Sequence, residues 1–150
     1  MLAPLEAQSQ LQKTFEMDPG FVPAHLFVGY VYLQTGQHAR AIQEFTDVLS
    51  RTEGNPLARA EPGCAYAVSG RRPEAEAILK TLLETRDRFV SPYCFALLHT
   101  ALGDHDAAFE ALEKAFAMRA HEMVFLPWEP QFDRLRSDPR FTDLLRRTGR

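Results

Sequence analysis

Cysteine is scarce in this chain: Cys64 and Cys94 are the two in 150 residues. That excludes a disulfide framework, and two isolated cysteines lack the spacing of a metal site. Both are expected as free thiols packed like small apolar residues. Long hydrophobic runs are also missing, so nothing in the sequence reads as a membrane-spanning helix. A basic start followed by an apolar stretch is absent from the amino end, where Glu6, Gln8, Gln10, Gln12 and Lys13 interrupt any such run. A cytoplasmic protein is the expectation. The formal net charge of −3 argues against nucleic acid as a partner. Positive charge concentrates only at the end, where six arginines from Arg134 onward face Asp138 and Asp143 within the same stretch. With Glu129 and Asp133 beside them, a solvated helix face is expected there, and an anion site is the lesser alternative.

Catalytic signatures are lacking as well. There is no phosphate-cradling glycine loop with a following Lys-Ser/Thr and no Gly-x-Ser-x-Gly elbow. His121-Glu122 runs on into Met123-Val124-Phe125, so it is not a His-Glu-x-x-His motif. The reading is of a protein that is not an enzyme and needs no cofactor or metal. Of the five histidines, His38 and His105 fall at turn positions, whereas His25 and His99 occupy positions suited to core aromatics, where hydrogen-bonded packing is expected. A grouping of Cys64, Cys94 and His99 has no local ligand spacing to support a metal.

What the chain does have is a period. Gly36, Gly70 and Gly103 lie 34 and then 33 residues apart, each followed by an alanine, Ala41, Ala75 and Ala108. Tyr32, Tyr66 and His99 keep the same spacing, as do Gly29, Gly63 and Ala96. Such a period marks a stacked helical repeat. Gly36, Gly70 and Gly103 are expected to end the first helix of each unit in the left-handed conformation. Gly29, Gly63 and Ala96 are expected where paired helices approach most closely. Tyr32, Phe45, Tyr66, Leu79 and Leu112 read as core.

The order H25-x2-V28-G29-x2-Y32, then Gly36, Ala41 and Phe45, resembles the tetratricopeptide repeat. Further copies run through Gly63, Tyr66, Gly70, Ala75 and Leu79 and through Phe95, Ala96, His99, Gly103, Ala108, Leu112 and Ala115. The resemblance covers residues 5 to 118. It implies an all-α, right-handed helical-hairpin solenoid of about three and a half repeats in one domain over 1–150. The units are a half-repeat at 4–20, repeats at 21–54, 55–88 and 89–120, and a carboxyl-terminal cap at 121–150. Helices are expected near 4–17, 23–35, 38–52, 58–69, 72–86, 92–102 and 105–118. Pro62 stands inside the fourth, where it should kink that helix or delay its start by about a turn. After residue 118 the period lapses, and Ser137-Asp138-Pro139 starts a last helix with Phe141, Leu144 and Leu145 on one face. This ending, with R88-F-V-S-P-Y93 and A107-A-F-E-A-L-E-K-A-F116, is similar to bacterial tetratricopeptide regions at the carboxyl ends of winged-helix regulators and serine/threonine protein kinases. That resemblance implies a sensory or partner-binding module.

In that family the first helices line a concave groove. By register the wall here comprises Pro23, Leu26, Phe27, Tyr30, Leu33 and Gln34, then Glu61, Cys64 and Val68, then Tyr93, Cys94, Leu97 and Thr100. The lysine and asparagine pattern that clamps a terminal carboxylate is absent, so an apolar peptide or partner helix is the expected occupant. Tyr30 and Tyr93, each with a ring and a hydroxyl, are the expected anchors. One alternative is that the chain's own ending partly fills the groove. Another is self-association as a homodimer through the half-repeat, whose Leu2, Leu5, Leu11 and Phe15 lack a first-helix partner. In that case either the native chain continues upstream or a second subunit covers the face.

Overall fold

The computed structural model describes residues 4–149, and among them it is helical with no strand. Eight α-helices follow in order: α1 (Pro4–Met17), α2 (Val22–Gln34), α3 (His38–Arg51), α4 (Pro56–Val68), α5 (Arg72–Glu84), α6 (Pro92–Leu102), α7 (His105–Ala117) and α8 (Pro139–Arg147). Two 3-10 turns, His121–Phe125 and Pro130–Leu135, lie between α7 and α8. Helices α2 and α3, α4 and α5, and α6 and α7 pack as successive hairpins, and α4 bridges to both α3 and α6. The result is a helical-hairpin solenoid.

Local chemistry sets the helix boundaries. The side chains of Asn55, Ser91 and Asp138 each accept a hydrogen bond from a backbone amide two residues on, at 2.9, 3.3 and 2.9 Å, and each precedes a proline. Those prolines occupy the first helical position, where the missing N–H costs nothing. At the other ends, Gly36, Gly70 and Gly103 have φ of 73°, 82° and 83°. The residue after each glycine donates back to a carbonyl five residues earlier, that of Tyr32, Tyr66 or His99, at 2.8 to 2.9 Å. The period of the sequence is thus a period of helix-terminating hydrogen bonds.

The close approaches fall where the register puts them. A Cβ built on Gly29 would meet the Phe45 ring, with Cδ1 and Cζ at 2.8 Å, and one on Gly63 would meet Leu98 Cδ2 at 2.6 Å. Pro62 does not delay its helix, one of the two outcomes expected of it. Helix α4 starts at Pro56 under the Asn55 cap, not a turn late, and holds buried Pro62 in its interior. The early cap and the burial of Ala58 through Ala65, Arg59 excepted, hold the segment helical despite the lost amide.

Two clusters make up the core. The smaller, Ala41, Phe45 and Ala65, is flanked by Leu26, Tyr30, Tyr32, Leu33 and Ile42. The larger runs from α4 to α8 and includes Leu98, Leu112, Phe132, Leu135, Phe141 and Leu144. His25 packs as the sequence predicts: its ring lies 4.7 Å from that of Phe15, with Nδ1 2.8 Å from Glu44 Oε2 and Nε2 2.9 Å from the Pro19 carbonyl. Burial lowers its pKa, but the Glu44 and Pro19 hydrogen bonds outweigh burial and leave it raised.

The arginines of the ending face acids rather than solvent alone. Arg140 reaches Asp106 at 2.8 Å and lies over the Phe109 ring; Arg147 pairs with Glu113 and with Asp143 and lies over Phe116. Phe132, Leu135, Phe141 and Leu144 are buried beneath them. The pairing of these arginines with acids of α7 and α8 counts against the anion site considered from sequence.

Candidate partner-binding groove

Helices α2, α4 and α6 bring three stretches of side chain to one side of the solenoid. There Leu26, Phe27, Tyr30 and Gln34 meet Glu61 and then Tyr93 and Leu97 around a cavity of about 610 Å³. Helical spacing explains the set, since residues three and four apart share a face. The opposite wall comes from the ending, through Glu122, Phe125, Trp128, Glu129 and Pro130. A second cavity of about 360 Å³ shares Tyr30, Gln34 and Pro130 with the first and includes Leu33, Val68 and Gln131. The ending therefore lies along the groove and forms part of its wall.

Several register assignments need correction. Cys64, Cys94 and Thr100 do not line either cavity; all three are buried. Their side chains are small, so neighbouring residues close over them: Cys64 and Cys94 belong to the same core cluster as Tyr93 and Leu97, and Thr100 Oγ1 donates back to the Ala96 carbonyl at 2.7 Å. Both thiols are free, and burial pushes them up, Cys94 to about 12. Tyr93 is only 2% exposed, its ring edge-on to Phe132 at 5.4 Å. It lines the cavity as part of the core rather than as a projecting anchor. The Tyr30 hydroxyl is engaged within the chain and donates to Glu61 Oε1 at 2.8 Å.

Large apolar side chains rim the site instead. Phe27, Phe125 and Trp128 are 61%, 55% and 65% exposed. Sequence reasoning picked out Phe27 but missed the other two. The apolar string M123-V-F-L-P-W128 was the available signal, because a segment meant only to cover the core need not hold so many large side chains in solvent.

Glu61 is the electrostatic centre of the wall. It is buried, accepts from Tyr30 and, at 2.9 Å, from Gln131 Nε2, and has its pKa pushed up to about 7. Burial is the main cause and the charge of Glu129 the next; the two hydrogen bonds oppose them. Glu129, which accepts from the Gln131 amide at 3.1 Å, is raised in turn, mainly by burial. The Tyr30 and Tyr93 hydroxyls are pushed up by burial and by these carboxylates. Among the described residues no group of three His, Cys, Asp or Glu side chains is placed to hold a metal ion, and no helix is long and apolar enough to cross a membrane.

A family model for the tetratricopeptide repeat matches residues 22–55 and 95–121. The first match takes in α2 and α3, and the second runs from within α6 through α7. No curated protein and no solved structure matches the chain. The helix-terminating glycines, the tight crossings at Gly29 and Gly63 and the two matched segments together make the chain a tetratricopeptide repeat protein.

Proposed function

We propose that this protein is an interaction module whose groove binds a peptide or partner helix. Repeats of this family generally mediate protein–protein contact. The observation that carries the reading is the cavity of about 610 Å³ with Phe27, Phe125 and Trp128 exposed around it. Exposed aromatics gathered on one concavity mark binding surfaces, whereas scattered ones do not. On the resemblance of its ending, the module is the partner-binding part of a bacterial regulator. The test compares capture of partners from a lysate by Phe27→Ala/Trp128→Ala and by Phe89→Ala, the last an exposed aromatic outside the cavity. The groove pair should lose what the parent and Phe89→Ala retain, with melting unchanged because all three side chains are exposed. Equal capture by all would move the site elsewhere.

A second reading is self-association through α1. Leu11 and Phe15 are half-buried, and Met17 and Phe21 beside them are exposed; Leu2 and the Leu5 side chain lie outside the described residues. A parent protein that light scattering finds monomeric at high concentration removes this reading.

A further inference from the structure

The cavity wall carries acid without base. Its lining includes three carboxylates, Glu61, Glu122 and Glu129, and no lysine, arginine or histidine. Glu61 and Glu122 are 3% and 8% exposed. A carboxyl withdrawn from water this far stays ionised only beside a cation, and Glu61 receives only neutral donors, Tyr30 and Gln131. The cations nearby are spent or peripheral. His121 Nδ1 is 3.4 Å from Glu122 Oε2, but its ring is largely exposed. Arg136 donates through Nε to Asp133 at 2.6 Å and through Nη2 to the Glu129 backbone carbonyl at 3.3 Å.

An independent observation points the same way. The Tyr93 hydroxyl, on a residue 2% exposed that lines this cavity, has no hydrogen-bond partner among the described residues. Buried hydroxyls are nearly always paired, so a donor arriving from outside satisfies an atom the fold leaves open. The rim adds aromatic rings from Phe27, Phe125 and Trp128, whose π-faces attract cations.

Resting on the groove reading above, we infer that the bound partner segment is cationic: it carries a lysine or arginine flanked by apolar residues, and inserts that side chain toward Glu61, Glu122 and Glu129. The apolar flanks cover the aromatic rim, and the buried cation supplies the charge and the hydrogen-bond donors that the wall lacks. Acid-ended segments, which need basic clamps, are repelled by the same wall.

A random short-peptide display library panned against the whole protein tests this. The inference expects enriched peptides with a lysine or arginine between apolar residues, and depletion of aspartate and glutamate. The best such peptide, made without tryptophan, is then titrated by the fluorescence of Trp128, the chain's single tryptophan. Exchanging its basic residue for glutamine should weaken binding roughly tenfold or more. Glu61→Gln/Glu129→Gln in the protein should remove that preference while apolar binding persists. The peptide-side exchange stands even where the double variant fails to fold. Enriched apolar peptides with no basic bias, or a glutamine exchange without effect, overturn the cationic inference and leave the groove reading intact. Peptides that bind equally to Phe27→Ala/Trp128→Ala, or no enrichment at all, overturn both.

Discussion

At Gly29 the fold depends on the absence of a single atom. Its Cβ would fall into the ring of Phe45, a residue at the centre of the smaller core cluster and wholly buried. A ring packed on all sides does not swing away cheaply, so Gly29→Ala should destabilise the protein by about 1–3 kcal/mol, the usual range for overpacking. Gly36 differs in kind. Nothing lies within 4 Å of its built Cβ, and its φ of 73° is the sole objection to a side chain. Gly36→Ala should therefore cost about 1 kcal/mol through backbone strain, and Gly36→Asn less, since asparagine tolerates the left-handed region. Thermal melts of the three variants check the distinction. If Gly29→Ala melted like the parent, the crossing between α2 and α3 would be looser than described.

The ending is the element whose role reaches furthest. Cutting the chain after Glu129 would remove Phe132, Leu135, Phe141 and Leu144, all buried, and with them the arginines that reach back to Asp106 and Glu113. It would bare the α6 and α7 face of the larger cluster, so the truncated protein should aggregate or unfold without cooperativity. A soluble, monomeric truncation with an unchanged melt argues against a covering role. Most helix positions were legible in the sequence because caps, prolines and turn glycines are local signals: Ser91 and Asp138 start helices, and Gly36, Gly70 and Gly103 end them, whereas the Asn55 cap was missed and α4 was expected about two residues late. The first-helix side of the groove was legible through register, by which Leu26, Phe27, Tyr30, Gln34, Glu61, Tyr93 and Leu97 come together. Burial depth was not, and so Cys64 and Tyr93 read as surface when they are core. The opposite wall was not legible either, because Phe125, Trp128 and Glu129 reach the groove through a non-repeating fold-back with no period to follow.

Across the whole molecule, Tyr30, Glu61 and Gln131 form a hydrogen-bonded chain linking α2, α4 and the ending. Stability of the entire assembly is thereby coupled to one buried carboxyl. In the folded protein Glu61 keeps its proton up to about pH 7, against an ordinary value of 4.5 for the unfolded chain. Between those values the folded state binds more protons than the unfolded one, so this contribution is fully present below pH 4.5 and is lost as pH rises through 7. The gap corresponds to a change on the order of 3 kcal/mol. Glu129 and His25, both raised, add to the loss with the same sign. His99, lowered mainly by burial, opposes them, its contribution being lost as pH falls. Glu61→Gln keeps an acceptor for Tyr30, and a turned Gln131 amide can still bond to it, so the variant should fold. It should be close to the parent at about pH 5 and more stable at about pH 8, with a flatter profile between. Urea unfolding midpoints across that range measure the effect. A parent profile as flat as the variant's, or a variant less stable at the alkaline end, would show that Glu61 is ionised and well solvated in the fold, and that the link between helix α2 and the ending does not depend on its proton.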